Sequence, residues 1–123
     1  MSPLTAEDKL LTTVGLCARA RKLVTGTPMV CEAMRSRKPA ILAVLEASDT
    51  SENTHSKLVS KCTYYQIPLY RLTADTARLA HAVGKTGSVA AVGVTDENFY
   101  KALAVHLPPK ESSGDTATSH IIE

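Results

Sequence analysis

Three short apolar runs, separated by longer amphipathic segments, constrain the fold of this chain most. They are AILAVLEA (40–47), IPLYRL (67–72) and SVAAVGVT (88–95). The first and third are apolar without alternation, which is typical of strands covered on both faces. Helices on both sides of a sheet provide such cover. We therefore predict an α/β fold, a three-layer α/β/α sandwich around a small central mixed sheet.

Apolar residues at helical spacing fill the segments between these runs. Thr5 with Asp8 is a capping box, and the first helix should run to about Ala20. Thr27 is the expected cap of the second helix, which must stop before Pro39. The remaining helices are expected to start at Asp49 with Glu52, to cover Thr76 to Val83, and to place Phe99, Leu103 and Leu107 inward before the Pro108–Pro109 pair.

The chain of 123 residues suits one domain, which we place at residues 1–107. The segment PPKESSGDTATSHIIE (108–123) is dominated by small polar residues and begins with two prolines. Such a composition buries too little apolar surface to offset the entropy of ordering it. We predict a disordered tail from Pro108.

The longest apolar run is far shorter than the roughly 20 residues of a membrane span, and the N-terminus lacks the pattern of a signal peptide. We expect a cytoplasmic protein with no membrane partner. Cys17, Cys31 and Cys62 are widely spaced, form no CxxC motif and have no histidine at a metal-ligand spacing. We therefore predict no metal site and no cofactor, and interpret the cysteines as small buried apolar residues.

The net charge of +2 conceals a gradient along the chain. Residues 1–38 contain seven Lys or Arg and three Asp or Glu, residues 39–107 contain six of each, and the tail contains one and three. A basic excess favours an acidic partner near the N-terminal third, although similar surpluses are common in proteins that bind nothing anionic.

No pattern typical of an enzyme stands out. The histidines are scattered, and the acids at strand ends are expected to cap helices. GKTGS (84–88) lacks the first glycine of a P-loop and leads into a strand rather than a helix. We predict a non-catalytic protein with no small-molecule substrate.

The stretch TGTPMVCEAMRSRK (25–38) combines a glycine turn, a helix start and three bases. A helix start is an anion site by geometry, because free N–H groups and the positive end of the helix dipole coincide there. Glu32 and Arg35 are three residues apart and can pair on its exposed face. From the local residues alone, an anion site and an ordinary helix start remain equally open.

Three longer segments resemble one family. VGLCARARKLVTG, AILAVLEASDTSENTHSKLVSKCTYYQIPLYRL and RLAHAVGKTGSVAAVGVTDENF are similar, in order and spacing, to the ribosomal L7Ae superfamily and its bacterial YlxQ-type branch. The similarity covers about residues 8–107. It implies a three-layer sandwich and a small RNA-binding protein, whose relatives recognise kink-turn RNA.

The resemblance also implies where RNA would bind. The relatives use the turn and start of the second helix, the loop after the following strand, and the loop before the strand that corresponds to residues 88–95. On this chain the implied RNA-binding residues are Gly26, Thr27, Pro28, Met29, Glu32, Arg35, Glu46, Ala47, Ser48, Asp49, Lys85, Thr86, Gly87, Ser88 and Val89.

Kink-turn binders of the superfamily typically have Gly-Thr-Asn-Glu and a lysine three residues on, whereas this chain has Pro28, Met29 and Glu32 at the last three of these positions. Pro28 and Met29 lack the side-chain groups that would read guanine edges. Two hypotheses therefore remain open. One is a protein that binds structured RNA, either kink-turn-like RNA or ribosomal RNA, with the ribosome as one candidate partner. The alternative is a protein-interaction module on the same fold.

Overall fold

The architecture comes from a computed structural model that describes residues 5–108 and 110–112. A five-stranded sheet in the order β1-β4-β2-β3-β5 forms the middle layer. Its strands are β1 Leu23–Thr25, β2 Ala43–Glu46, β3 Leu69–Arg71, β4 Ala91–Val94 and β5 Lys110–Ser112. The helices are α1 Ala6–Arg19, α2 Thr27–Ser36, α3 Glu52–Tyr65, α4 Thr76–Ala82 and α5 Glu97–Ala104. Only β2 and β3 pair in parallel, so the sheet is mixed.

Two separate apolar clusters cover the two faces of the sheet. On one face α1, α4 and α5 pack against alternate residues of β2 and β4, among them Leu45 and Val92. On the other face α2 and α3 pack against Val44 and Ala91. Every residue of β2 and β4 is buried. The predicted three-layer α/β/α sandwich is therefore confirmed.

The helix starts show where the local sequence predicts the N-cap residue correctly and where it does not. Thr5 and Asp8 form the predicted capping box of α1. The cap of α2 differs from the prediction: Gly26 occupies the N-cap position with φ 97°, and Thr27 is the first helical residue. A left-handed φ of this kind favours glycine. The turn after β1 therefore selects Gly26 as the cap, and the Thr27 hydroxyl caps nothing.

The third helix also begins differently from the prediction. Ser51, and not Asp49, caps α3 by accepting a hydrogen bond from the Thr54 N–H. Asp49 instead accepts from the N–H of Thr76, the first residue of α4, at 2.7 Å. The carboxylate thus binds the first N–H group of a helix that starts 27 residues further along the chain and whose N-cap is Asp75. This use is visible only once the chain has folded.

Both edges of the sheet contain strands that the sequence patterns did not show. β1 is a three-residue strand at one edge of the sheet, in a segment where we predicted no element. At the other edge Lys110–Ser112 pairs with β3, where a disordered tail had been predicted. Strands this short carry too little pattern to identify them, and they form because the edge of a formed sheet offers free hydrogen-bonding groups. The rest of the predicted tail, from residue 113, lies outside the described residues.

Two of the cysteine thiols are enclosed in the core. Cys17 and Cys62 are fully buried, and burial raises the pKa of Cys17 to about 11 and that of Cys62 to about 12. Both thiols are therefore protonated at neutral pH and behave as small apolar side chains.

Within the described part of the chain, no helix is long and apolar enough to cross a membrane.

Close packing of α1 on α4 generates a first prediction. A Cβ added at Gly15 would lie 2.8 Å from the carbonyl oxygen of Ala82, a backbone atom that cannot swing aside. Gly15→Ala should therefore lower the free energy of unfolding by about 1–3 kcal/mol, although alanine is the better helix former. Urea denaturation measures the change. Thr12→Ala, on the exposed side of the same helix, should stay within about 0.5 kcal/mol. Equal stability of Gly15→Ala and wild type would contradict this packing.

Candidate functional site

Strand pairing brings three distant segments to one end of the sheet. β4 runs antiparallel to both β1 and β2, so the start of β4 lies beside the ends of β1 and β2. The Gly26 N–H donates to the Ala91 carbonyl at 2.9 Å, and the Ala47 N–H donates to the Ala90 carbonyl at 2.8 Å. We call this surface the loop end. It consists of the turn 26–29, the loop 46–51 and the loop 84–90.

The turn into α2 presents its backbone to solvent. Gly26 is partly exposed, and a Cβ there would meet no atom within 4 Å, so its conformation and not its packing requires glycine. Thr27 and Met29 supply the first-turn N–H groups that have no helical partner, whereas Pro28 supplies none. The Met29 side chain is 60% exposed. An anion at this helix start would meet fewer donors than a proline-free turn offers.

Hydrogen bonds to three other elements hold the loop 46–51 in place. Ala47 bonds to the start of β4, and the Ser48 N–H donates to the Ala74 carbonyl at 2.9 Å. Asp49 accepts from both the N–H and the hydroxyl of Thr76. A loop fixed in this way presents Ser48 and Asp49 to solvent in a single arrangement.

Arg71 belongs to this end of the sheet, although no sequence signal marked it. It lies directly opposite Glu46 in the parallel β2–β3 register, and its guanidinium donates to the Ser48 carbonyl at 3.1 Å. Its Nε is buried without a hydrogen-bond partner among the described residues, and so is the Thr27 hydroxyl oxygen. Buried polar atoms of this kind are rare and costly. Both of them lie at the loop end.

The loop 84–90 curves on two glycines with positive φ, Gly84 at 78° and Gly87 at 83°. The Lys85 N–H donates to the Ala80 carbonyl, and the Val89 N–H donates to the Thr76 carbonyl at 3.0 Å. Residues 84–88 are exposed between these two anchor points. The loop therefore projects Lys85 and Thr86 from a fixed base next to the Asp49–Thr76 contact.

Glu46 has a role that the sequence did not indicate. We had expected it to cap a helix, but its side chain is fully buried under α3. His55 Nδ1 lies 2.9 Å from each of its carboxylate oxygens, and the Thr50 hydroxyl donates to the same carboxylate. A buried carboxylate needs such donors. Glu46 thus holds the loop 46–51 against α3 from beneath and does not reach its surface.

The structure sorts the implied RNA-binding residues into two groups. The side chains of Glu46, Ala47 and Val89 are buried and support the loops. The others are at least partly exposed: Gly26, Thr27, Pro28, Met29, Glu32, Arg35, Ser48, Asp49, Lys85, Thr86, Gly87 and Ser88. Glu32 and Arg35 form the expected ion pair at 2.6 Å. The pair leaves the exposed face of α2 close to neutral.

Carboxylates balance the cations at the loop end. The basic side chains there are Arg71 and Lys85, with Arg35 paired to Glu32 further along α2, and the acidic ones are Asp49, Glu52 and Asp75. Within residues 5–108 and 110–112, no group of three His, Cys, Asp or Glu side chains is arranged to hold a metal ion. Backbone donors and loop shape, rather than a concentrated positive charge, characterise this surface.

A three-layer sandwich that gathers three loops at one end of a mixed sheet is the arrangement expected of an L7Ae-type protein. The chain belongs to the ribosomal protein L7Ae/L30e/S12e/Gadd45 family, whose model matches residues 8–104. The family expected from the sequence is thereby confirmed.

Curated relatives and a solved structure agree with this assignment. The RNA-binding protein YlxQ of Bacillus subtilis is 37% identical over 90 residues, covering 73% of this chain and 86% of the relative. YlxQ of Enterococcus faecium is 36% identical over 94 residues, covering 76% of this chain and 86% of the relative. A solved structure of a Bacillus halodurans protein of unknown function matches with a TM-score of 0.72 and 36% identity, over 80% of this chain and 95% of that one.

The buried Glu46–His55 contact generates a second prediction. His55→Ala removes a donor from a carboxylate that has no access to water, and should lower the free energy of unfolding by about 3 kcal/mol. Replacing both residues by leucine should recover most of this loss, because no buried charge remains. Urea denaturation of the variants tests both statements. His81→Ala, at an exposed position, is the control and should change little. A loss below 1 kcal/mol for His55→Ala would show that Glu46 does not depend on the histidine.

Proposed function

We propose that this protein binds structured RNA through the loop end, without catalysing a reaction, in the cytoplasm. The observation that carries the proposal is the convergence of three segments, 26–29, 46–51 and 84–90, which are far apart in sequence and are joined by hydrogen bonds to the start of β4. The relatives named as RNA-binding proteins support the ligand class.

Shape is the property by which this surface would select RNA. A helix start offers N–H groups to phosphates, and two rigid loops beside it form a step against which a bent backbone can pack. The described aromatic residues are few and form two ring pairs, Tyr64–Tyr65 at the far end of α3 and Tyr70–Tyr100 in and against the core cluster of α1, α4 and α5. Stacking of single-stranded bases on a row of aromatic rings is therefore a poor match for the loop end.

Pro28 and Met29 limit the base-specific contacts that this surface can make with RNA. Neither side chain carries a donor or acceptor for a base edge, and Glu32 places a carboxylate near the approaching phosphates. We propose that kink-turn-like or ribosomal RNA is recognised here through its bent backbone, with less base readout than the family pattern implies. Specificity between structured RNAs should then be modest.

One observation favours a second candidate function. Met29 is 60% exposed beside Pro28 at the loop end, and exposed methionine and proline suit a protein partner better than a phosphate. The alternative is therefore a protein-interaction module that uses the same surface.

A titration distinguishes the two candidates. The full chain is titrated against a standard kink-turn RNA and an unkinked duplex of equal length, at low and moderate salt. We expect tighter binding to the kinked RNA, with a difference that persists at moderate salt because shape contacts do not depend on counterion release. Failure to bind either RNA would overturn the proposal and favour the protein-interaction module. Equal binding to both would show that the loop end does not read RNA shape.

A variant of α2 supplies a third prediction. Glu32→Gln removes a carboxylate from the edge of the loop end and frees Arg35 from its ion pair. Affinity for the kink-turn RNA should rise about fivefold, because one charged contact at such an interface contributes on the order of 1 kcal/mol. Fluorescence anisotropy measures the change.

Ser60→Lys is the matched control, since it also raises the net charge by one but on the exposed side of α3. It should leave affinity nearly unchanged. A similar gain in both variants would mean that net charge, and not the face of α2, controls binding.

A further inference from the structure

The cations of the N-terminal third gather at the opposite end of the sheet from the loop end. The Thr95 N–H donates to the Lys22 carbonyl at 3.1 Å, and the Leu42 N–H donates to the Val94 carbonyl at 2.7 Å. The chain therefore reaches the last residues of β4 from both sides, and the backbones of Lys22 and Leu42 lie about 10 Å apart across it. We call this surface the basic end; its cations are Arg21, Lys22, Arg37 and Lys38.

These four cations are exposed, and among the described residues they outnumber the two acids nearby. Within the described part of the chain, the ion pairs involve other basic residues. Two acids lie close by: Asp96 accepts from the Phe99 N–H, and Glu97 lies 4.0 Å from the Lys101 ammonium. Charges within a Debye length of about 8–10 Å reinforce one another. The basic end is therefore positive, whereas the loop end is not.

Two of the arginines occupy backbone positions that favour glycine. Arg21 has φ 63° and Arg37 has φ 62°, both in the left-handed region just after a helix. The Arg21 and Lys22 N–H groups bond to the Ala18 and Cys17 carbonyls, which closes α1 in the manner usually built on glycine. Arginine is strained at such a position.

Helix capping does not explain these arginines. A cation near a helix C-terminus is favourable because of the helix dipole, and Arg19 and Arg35 already supply one in the last turns of α1 and α2. Two further guanidinium groups are thus held on a fixed, strained backbone facing solvent. Strained positions of this kind are often found at functional sites.

We propose that the basic end is a second RNA-binding surface, which holds phosphates of a part of the RNA distinct from the part at the loop end. The proposal rests on RNA being the ligand. Guanidinium groups bind phosphates with two parallel hydrogen bonds, and an anchored backbone reduces the entropy lost on binding. Because β4 alone separates the two ends by about 13 Å, contact with both requires an RNA arm that lies along the protein.

Two glycine substitutions test the basic end without harming the fold. Arg21→Gly and Arg37→Gly each remove one cation and relieve the left-handed strain. Each should raise the melting temperature by a few degrees. Each should also weaken binding of both the kink-turn RNA and the plain duplex about five- to tenfold at 100 mM salt, and lower the slope of log K against log salt by about one.

Gln66→Gly is the matched control. Gln66 ends α3 with φ 58°, so the substitution makes the same backbone change but removes no charge. It should raise the melting temperature as the arginine variants do and leave RNA affinity and the salt slope unchanged. The double variant Lys22→Gln/Lys38→Gln provides a second test. Its affinity for RNA should fall, although the substitutions relieve no backbone strain.

The possible results separate this inference from the proposed function. If RNA binds but the arginine variants match Gln66→Gly in affinity and slope, the basic end is not an RNA surface and the loop end stands. If the arginine variants lose affinity equally for kinked and plain RNA while Glu32→Gln has no effect, the basic end stands and the loop end does not. Binding of wild type to anionic vesicles but not to RNA would overturn both.

Discussion

Antiparallel pairing of β4 between β1 and β2 is the constraint on which the rest of the structure depends. This strand is only four residues long and is buried throughout, yet it fixes the ends of both neighbours. Its first residues accept hydrogen bonds from Gly26 and Ala47, and its last residues bond to Lys22 and Leu42. Both candidate surfaces are therefore set by the register of one strand. A shift of one residue would turn its buried side chains to the wrong face and separate the loops.

Polar contacts inside the loop end show how the fold supports exposed loops. Glu46 ends the strand β2 as a buried carboxylate, and His55, Thr50 and the neighbouring Arg71 surround it with donors or positive charge. A buried acid is a costly way to end a strand. Here it ties the loop to α3 from below while Asp49 ties it to α4 from the side. The exposed residues Ser48 and Asp49 are thus held by contacts on both flanks.

Charge and shape are divided between the two ends of the sheet. The loop end has the free helix-start N–H groups and the glycine turns, but its cations are balanced by carboxylates. The basic end has cations that form no ion pair with any acid of the described residues. A ligand that contacts both surfaces must be large and anionic, and a folded RNA meets this description. The family of the chain and the names of its relatives lead to the same ligand class.

The sequence by itself determined the layers of this protein and most of its helices. Short, uniformly apolar runs are typical of strands buried on both faces, and the Thr5–Asp8 capping box and the Glu32–Arg35 pair depend on residues three positions apart. Local spacing is sufficient for features of that kind. Tertiary structure decided everything that involves distant partners. It placed Asp49 on Thr76, buried Glu46 beneath His55, formed β1 and β5 from segments with no pattern, and moved most of the N-terminal cations away from the turn that they flank in sequence. The physical reason is that such contacts depend on which strand pairs with which, and a single sequence does not display strand order.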